Sequence, residues 1–258
     1  MITAASNSRI KRLVQLNQKS KLRRTEDVFL AEGVKMFLEA PREQLQEVYV
    51  SESFLEKCSC REHLEEVGYE VVSDSVFSKI SDTCTPQGVL CVLKQFHYNI
   101  EEMLRDKAPL FLLLENIQDP GNLGTMLRTG EGAGVSGIIM SRDTVDLYNP
   151  KVIRSTMGSI YRVPFYYADD FAAAVHQVQR AGVSVYAAHL RGKNSYACQD
   201  YTKGKAFLIG NEGNGLREET AELADCYIRI PMEGKVESLN AAVASSILMY
   251  EAHRQRAI

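Results

Sequence analysis

The sequence predicts an α/β protein built from two domains, and three observations carry that reading. Short apolar runs, the mark of strands, alternate with segments whose apolar residues recur every three or four positions, the mark of helices. The alternation is interrupted once, at the polar stretch His97–Pro109, which ends in a proline and reads as a linker. Charge divides unevenly as well: residues 1–24 hold seven basic side chains and no acidic one, which leaves 23 basic against 33 acidic residues elsewhere, a balance of −10. With 258 residues, 45% of them apolar and 24% charged, the chain has ordinary globular composition and length enough for two modest domains.

In the first domain, residues 1–96, Ser6 caps a helix whose apolar stripe is Ile10, Leu13, Val14 and Leu16. VFLAEG follows, then a helix through Val34–Glu39, a strand at VYVS, a helix near Ser53–Glu66, and strands at YEVVS and GVLCVLKQF. Residues 97–108 link it to a second domain, residues 109–258. There, strands are expected at LFLLLE, SGIIM, RVPFYY, VSVYAAH, KAFLIG and CYIRIP. Helices are expected at about Leu123–Gly132, Pro150–Met157, Asp170–Arg180, Arg217–Leu223 and Ser238–Arg254. Asn149-Pro150 supplies a helix start and Ala181-Gly182 a stop. Strands alternating with helices imply a mostly parallel sheet covered on both faces.

Several function classes drop out. No apolar run reaches the roughly 18 residues of a membrane helix, and the first residues lack the apolar core of a secretory signal, so a cytoplasmic protein without a membrane partner is expected. Of six cysteines only Cys58 and Cys60 lie close together, and no second pair or histidine cluster completes a zinc site, so no metal is expected. The signatures G-x-x-x-x-G-K-[ST], H-E-x-x-H and G-x-S-x-G are absent. Gly130-x-Gly132-x-Gly134 is no dinucleotide fingerprint, because it closes a helix instead of opening one after a strand. His63, His97, His176 and His253 belong to no constellation and are read as structural.

Three loops stand at the carboxyl ends of strands, where open α/β sheets bind ligands. The first runs from Glu115 to Gly124 into a helix that carries Arg128. Asn122 is either the cap of that helix or a partner that orders Arg128, and helix amides beside an arginine suit a phosphate. The second, Ile209–Leu216, has three glycines in six residues and permits close backbone approach to a ligand. The third, Ile230–Asn240, ends in a helix where Ser238 can cap and leave Asn240 facing the crevice.

Together these loops resemble the three signature motifs of the SpoU (TrmH-type) RNA ribose 2′-O-methyltransferases. The resemblance runs from Leu110 to the C-terminus and keeps the order and spacing of N-x-x-x-x-x-R (Asn122, Arg128), I-G-N-E-G-x-G (Glu212) and I-P-M-x-G-x-x-x-S-L-N (Ser238, Asn240). The stretch Asn149–Gly158 followed by Val163-Pro164 is similar to the region between motifs, and Ala242 departs from the serine many members place there. What the resemblance implies is a second domain with a deep trefoil knot, an exception to the un-knotted rule. It also implies S-adenosylmethionine as methyl donor, a homodimer, and a first domain that binds RNA substrate. Carried over by position, the donor pocket uses Ala188, His189, Gly210, Glu212, Ile230, Met232 and Leu239. The catalytic set is Arg128, Asn122, Glu212, Ser238 and Asn240.

A guanidinium is a poor proton acceptor, so Arg128 is expected to grip the RNA phosphate next to the target ribose. The cationic arm, Arg9, Lys11, Arg12, Lys19, Lys21, Arg23 and Arg24, together with Arg154, is expected to meet RNA, with ribosomal RNA favoured over transfer RNA by the separate first domain. The competing reading is a non-catalytic RNA-binding protein on the same fold. The presence of all five motif residues argues against it.

Overall fold

A computed structural model describes residues 1–257, which fall into two compact units: residues 1–96 with 146–161, and 97–145 with the chain from 162 onward. The first opens with helices α1 (Ser8–Gln18) and α2 (Ser20–Glu26). Strand β1 (Val28–Glu32), α3 (Val34–Leu38), β2 (Leu45–Ser51), α4 (Glu52–Lys57), α5 (Arg61–Val67), β3 (Glu70–Val72), α6 (Asp74–Ile80) and β4 (Val89–Lys94) follow. The sheet runs β1-β4-β2-β3, with β4 antiparallel to both its neighbours and β3 parallel to β2. Ile10, Leu13 and Leu16 of the expected α1 stripe are buried against Leu30, Phe77, Ile80 and Leu90, with Val14 partly buried beside them. The cap of α1 is Asn7 instead of Ser6, accepting from the Arg9 amide at 2.9 Å. Helices α2 and α6 are seven residues each, too short to show a periodicity, and the sequence does not announce them.

The chain continues with α7 (Ile100–Met103), β5 (Leu110–Leu114), α8 (Pro120–Ala133), β6 (Gly137–Ser141), α9 (Pro150–Thr156), β7 (Phe165–Ala168) and α10 (Phe171–Arg180). It ends with β8 (Ser184–Ala188), β9 (Asn194–Ser195), β10 (Lys205–Ile209), α11 (Glu218–Ala221), β11 (Cys226–Arg229) and α12 (Ala241–Arg256). All but α9 belong to the second unit. Its seven strands pair in parallel in the order β7-β6-β5-β10-β8-β11-β9. Every residue of β5, β6 and β10 is buried, as a parallel sheet covered on both faces requires. Phe111, Leu113, Ile139, Val185 and Leu208 meet Ala174, Val175 and Val178 of α10 on one side. Strand β10 follows β8 in the chain yet lies between β5 and β8. This reversal of strand order opens a crevice at the carboxyl ends.

Residues 146–161 form part of the first unit, although the sequence places them inside a continuous second domain. The reason is side-chain packing. The Tyr148 ring lies 4.8 Å from that of Phe29, and its hydroxyl accepts from the Phe96 amide at 2.7 Å. Tyr161 donates to the Met36 carbonyl at 3.0 Å. Among the described residues no helix is long and apolar enough to cross a membrane.

Candidate active site

The crevice is built from the ends of β5, β8, β10 and β11. After β5 the chain turns through Asn116, which adopts the left-handed conformation (φ 54°), and enters α8 at Asp119. Asp119 is the cap, accepting from the Asn122 amide at 2.7 Å, with Pro120 in the first turn, where its missing amide proton costs nothing. Asn122 is therefore not the cap, and its side chain is left for other work. Its amide donates to Glu212 Oε1 at 3.0 Å, and its carbonyl oxygen accepts from Asn240 Nδ2 at 2.9 Å. One hydrogen-bonded chain, Asn240–Asn122–Glu212, thus joins all three loops.

Glu212 also accepts from the amides of Gln118 at 3.1 Å and Asp119 at 3.0 Å. Burial pushes its carboxyl pKa up, but the bonds from Asn122, Gln118 and Asp119 outweigh burial and hold it below the ordinary carboxylate value. Asn240, not Ser238, caps α12, its Oδ1 accepting from the amides of Ala242 and Val243 at 2.8 and 3.2 Å. Ser238 is exposed beside it.

Under this network lies a cavity of about 280 Å³ whose wall includes Ala188, His189, Gly210, Glu212, Ile230, Met232 and Leu239, so every residue expected around a methyl donor lines one space. Its walls are largely apolar side chains and turn backbone, with Glu212, Glu237 and Arg229 as the charged residues on its rim. A mostly apolar cavity with a few polar groups suits a small organic ligand. A wider, open depression of about 780 Å³ adjoins it, edged by Gln118, Asp119, Asn122 and Asn240, and Glu212, Ser238 and Leu239 border both.

Arg128 stands elsewhere. Six residues beyond Asn122, it points about 120° away around the helix, lies exposed, borders neither space, and makes no hydrogen bond or ion pair among the described residues. The expected Asn122–Arg128 partnership is absent within the chain. The basic arm also divides. Arg9 pairs with Glu70, Arg12 with Glu26 and Glu47, and Arg154 with Asp82. Arg23, expected to meet RNA, is buried at 3% exposure, donating to the carbonyls of Leu16 and Asn17 and to Asp146, and is a structural residue. Lys11, Lys19, Lys21 and Arg24 are exposed and make no ion pair among the described residues.

Four further residues escaped the sequence. Glu115 is buried at 1% exposure and receives Arg217 and Thr220, and Arg217 reaches on to Asp143. The available signal was a carboxylate directly after five apolar strand residues, since a charge there needs a partner.

Residues 109–250 match the family model of the SpoU rRNA methylase family, and residues 7–91 match that of the MRM3-like substrate binding domain. The Bacillus subtilis protein named 23S rRNA (guanosine(2553)-2′-O)-methyltransferase RlmP is 32% identical over 252 residues, 96% of this chain and 97% of that one. The structure of an AdoMet-bound rRNA methyltransferase from Sinorhizobium meliloti has a TM-score of 0.85 at 32% identity, over 98% of this chain and 97% of that one. The SpoU methyltransferase AviRb from Streptomyces viridochromogenes, in complex with AdoMet, has a TM-score of 0.88 at 26% identity, over 97% and 98%.

Proposed function

This chain belongs to the SpoU rRNA methylase family, and on that premise we propose that it moves a methyl group from S-adenosylmethionine to the 2′-hydroxyl of a ribose in 23S-type ribosomal RNA, as a cytoplasmic homodimer with a knotted catalytic domain. The observation that carries the reading is the Asn240–Asn122–Glu212 chain, which draws three distant loops into one wall between the cavity and the depression. The substrate follows from relatives named for ribosomal RNA that align along nearly the whole chain, first domain included.

S-adenosylmethionine would supply the methyl group as an activated sulfonium, leaving as the neutral thioether S-adenosylhomocysteine while the 2′-hydroxyl gives up its proton. The apolar side chains of Ile230, Met232 and Leu239 and the backbone at Ala188, His189 and Gly210 would hold it in the cavity. The target ribose enters the adjoining depression, so that donor and acceptor meet across the edge formed by Glu212, Ser238 and Leu239. Alignment of this kind is worth roughly 7–11 kcal/mol in ideal cases. Glu212 and Asn240 act by fixing that edge; Arg128 borders neither space of its own chain, so its grip on the RNA phosphate serves the site of the second subunit of the homodimer. Val243, Ile247 and Tyr250 lie along one side of α12, the first and last of them 48% and 50% exposed, and this stripe supports the dimer. Lys11, Lys19, Lys21 and Arg24 supply the electrostatic docking of RNA to the first unit.

Calorimetric titration with S-adenosylmethionine, with NADH as control, tests the donor. Incubation with ribosomal RNA and mass analysis of the resulting nucleosides tests the product. The expected result is about one donor site per chain, no NADH binding, and a single 2′-O-methylnucleoside. RNA binding with no donor site, with or without RNA present, would replace the reading with that of a non-catalytic binder.

A further inference from the structure

The turn from Gly210 to Leu216, one wall of the cavity, is rigid within itself. The backbones of Asn211 and Gly215 bond to each other in both directions, at 2.9 and 3.0 Å, and the Asn211 side chain accepts from the amides of Gly213 and Asn214. A Cβ on Gly210 would lie 2.2 Å from the backbone of Gly215 and Leu216, so the turn closes on itself with no room for a side chain. A turn braced this way moves as one piece, and its tethers decide where it sits.

Among the described residues three tethers hold it, all to the segments that leave β5 or β6. Asn211 Nδ2 donates to the Asn116 carbonyl at 2.8 Å, and Glu212 holds the start of α8. The third secures the far end through Glu115, the first residue after β5, and Arg217, just beyond the glycine-rich turn. The Arg217 amide donates to Glu115 Oε2 at 2.8 Å. Its guanidinium reaches Glu115 Oε1 at 3.4 Å and also pairs with Asp143. Thr220 Oγ1 donates to Glu115 Oε1 at 2.5 Å. Glu115 is almost wholly buried, and a buried carboxylate without donors is costly, so the interaction holds firmly. Arg217 itself is half exposed and borders neither the cavity nor the depression.

We propose that Glu115 and Arg217 are positioning residues for the methyl donor. Their latch fixes the far end of the turn, sets the width of the cavity, and so governs donor affinity without touching the donor. This rests on the reading that the cavity takes S-adenosylmethionine. It extends that reading to two residues that border neither the cavity nor the depression.

Arg217→Ala and Arg217→Lys test the latch, since the exposed side chain can be removed without emptying the core. Lysine reaches one carboxylate but cannot fork between two. Arg217→Ala should raise both Kd and KM for S-adenosylmethionine roughly tenfold, within the span usual for coupled network residues, and Arg217→Lys should restore part of that. Turnover at saturating donor should stay within about twofold, because the relay of Asn122, Glu212 and Asn240 is untouched. Hydrogen exchange, measured without donor, should quicken at the amides of residues 211–216 and not in β5 or β10. Wild-type KM together with wild-type exchange in that turn overturns the proposal. So does a joint loss of turnover and thermal stability with exchange quickened in the strands, which would mark Arg217 as merely structural. A wild-type protein with no donor affinity would instead overturn the functional reading, and the latch's role in donor binding with it.

Discussion

At the carboxyl ends of β5, β10 and β11, Asn122, Asn211, Glu212 and Asn240 each make two or more hydrogen bonds, whereas along α1, α2 and the turn between them the side chains of Lys11, Lys19, Lys21 and Arg24 stand exposed with no ion pair among the described residues. On the proposed function, the two regions hold polar groups in opposite ways because their tasks differ. Transfer of a methyl group in line depends on placement to a fraction of an ångström, which only a network with few spare degrees of freedom maintains. Attraction of a polyanion acts over the roughly 8–10 Å of the Debye length and gains little from a fixed side chain. Substitutions should therefore be costly and individual in the first region, mild and cumulative in the second.

The largest effect is expected at Glu212. In Glu212→Gln one carboxylate oxygen becomes an amide that must face a backbone N–H, so the tie between two loops breaks on one side. Methyl transfer at saturating RNA and donor should fall about 100- to 1,000-fold, the scale seen when a preorganised polar group is lost from an active site. A loss below tenfold would show that the relay does not position the reactants.

Arg23 sharpens the comparison from the other side, because it belongs to the cationic arm by sequence and to the core by structure. Arg23→Met leaves Asp146 and two carbonyls without their donor. It should lower unfolding free energy by about 2–4 kcal/mol while RNA affinity of the folded protein stays level. Denaturant melts and RNA binding at low temperature separate the two. An RNA-binding loss with an unchanged melt would return Arg23 to the binding surface.

Replacing Lys11, Lys19, Lys21 and Arg24 one at a time by alanine should weaken RNA binding only a few-fold each. The slope of log affinity against log salt should become shallower by about 0.7–0.9 for each phosphate that is no longer neutralised. Donor affinity should not move. An unchanged slope in the fourfold variant would place the RNA on another surface.

These contrasts also mark what the amino-acid pattern could show. Strand runs such as LFLLL and KAFLI are legible because parallel strands bury both faces, and the crevice loops are legible because glycine, proline and asparagine cluster where strands end. Asn7 and Asn240 take the caps that the sequence gives to Ser6 and Ser238, because aspartate, asparagine and serine cap about equally well. Only Pro120 at the first helical position distinguishes Asp119 from Asn122. The burial of Arg23 was illegible, since its partner Asp146 lies 123 positions away and local pattern carries no such distance. The same holds for Tyr148 and Tyr161, whose contacts draw residues 146–161 into the first unit.

The smallest expected effect concerns His189, the one cavity residue whose charge could change near neutral pH. Its Nδ1 accepts from the Arg191 amide at 3.1 Å, and its ring lies 5.1 Å from that of Tyr227. Burial, then the charge of Arg191, push the imidazole pKa below its usual 6.5, with Glu218 opposing them in part. The unfolded chain therefore takes up the proton first as pH falls, so the neutral ring's contribution to stability is complete above pH 6.5, declines below it, and levels off beneath the folded value. A donor that needs the neutral ring, with Nδ1 engaged as acceptor and Nε2 carrying the proton, should bind with a Kd constant within about twofold from pH 8 to pH 6.5 and more weakly below. His189→Gln keeps a donor and an acceptor without a titrating group, and its Kd should stay level through the same acid range. A wild-type Kd that already rises between pH 8 and 7, or an acid-side rise that persists in His189→Gln, would assign the titration to another group and leave His189 as a wall of the cavity.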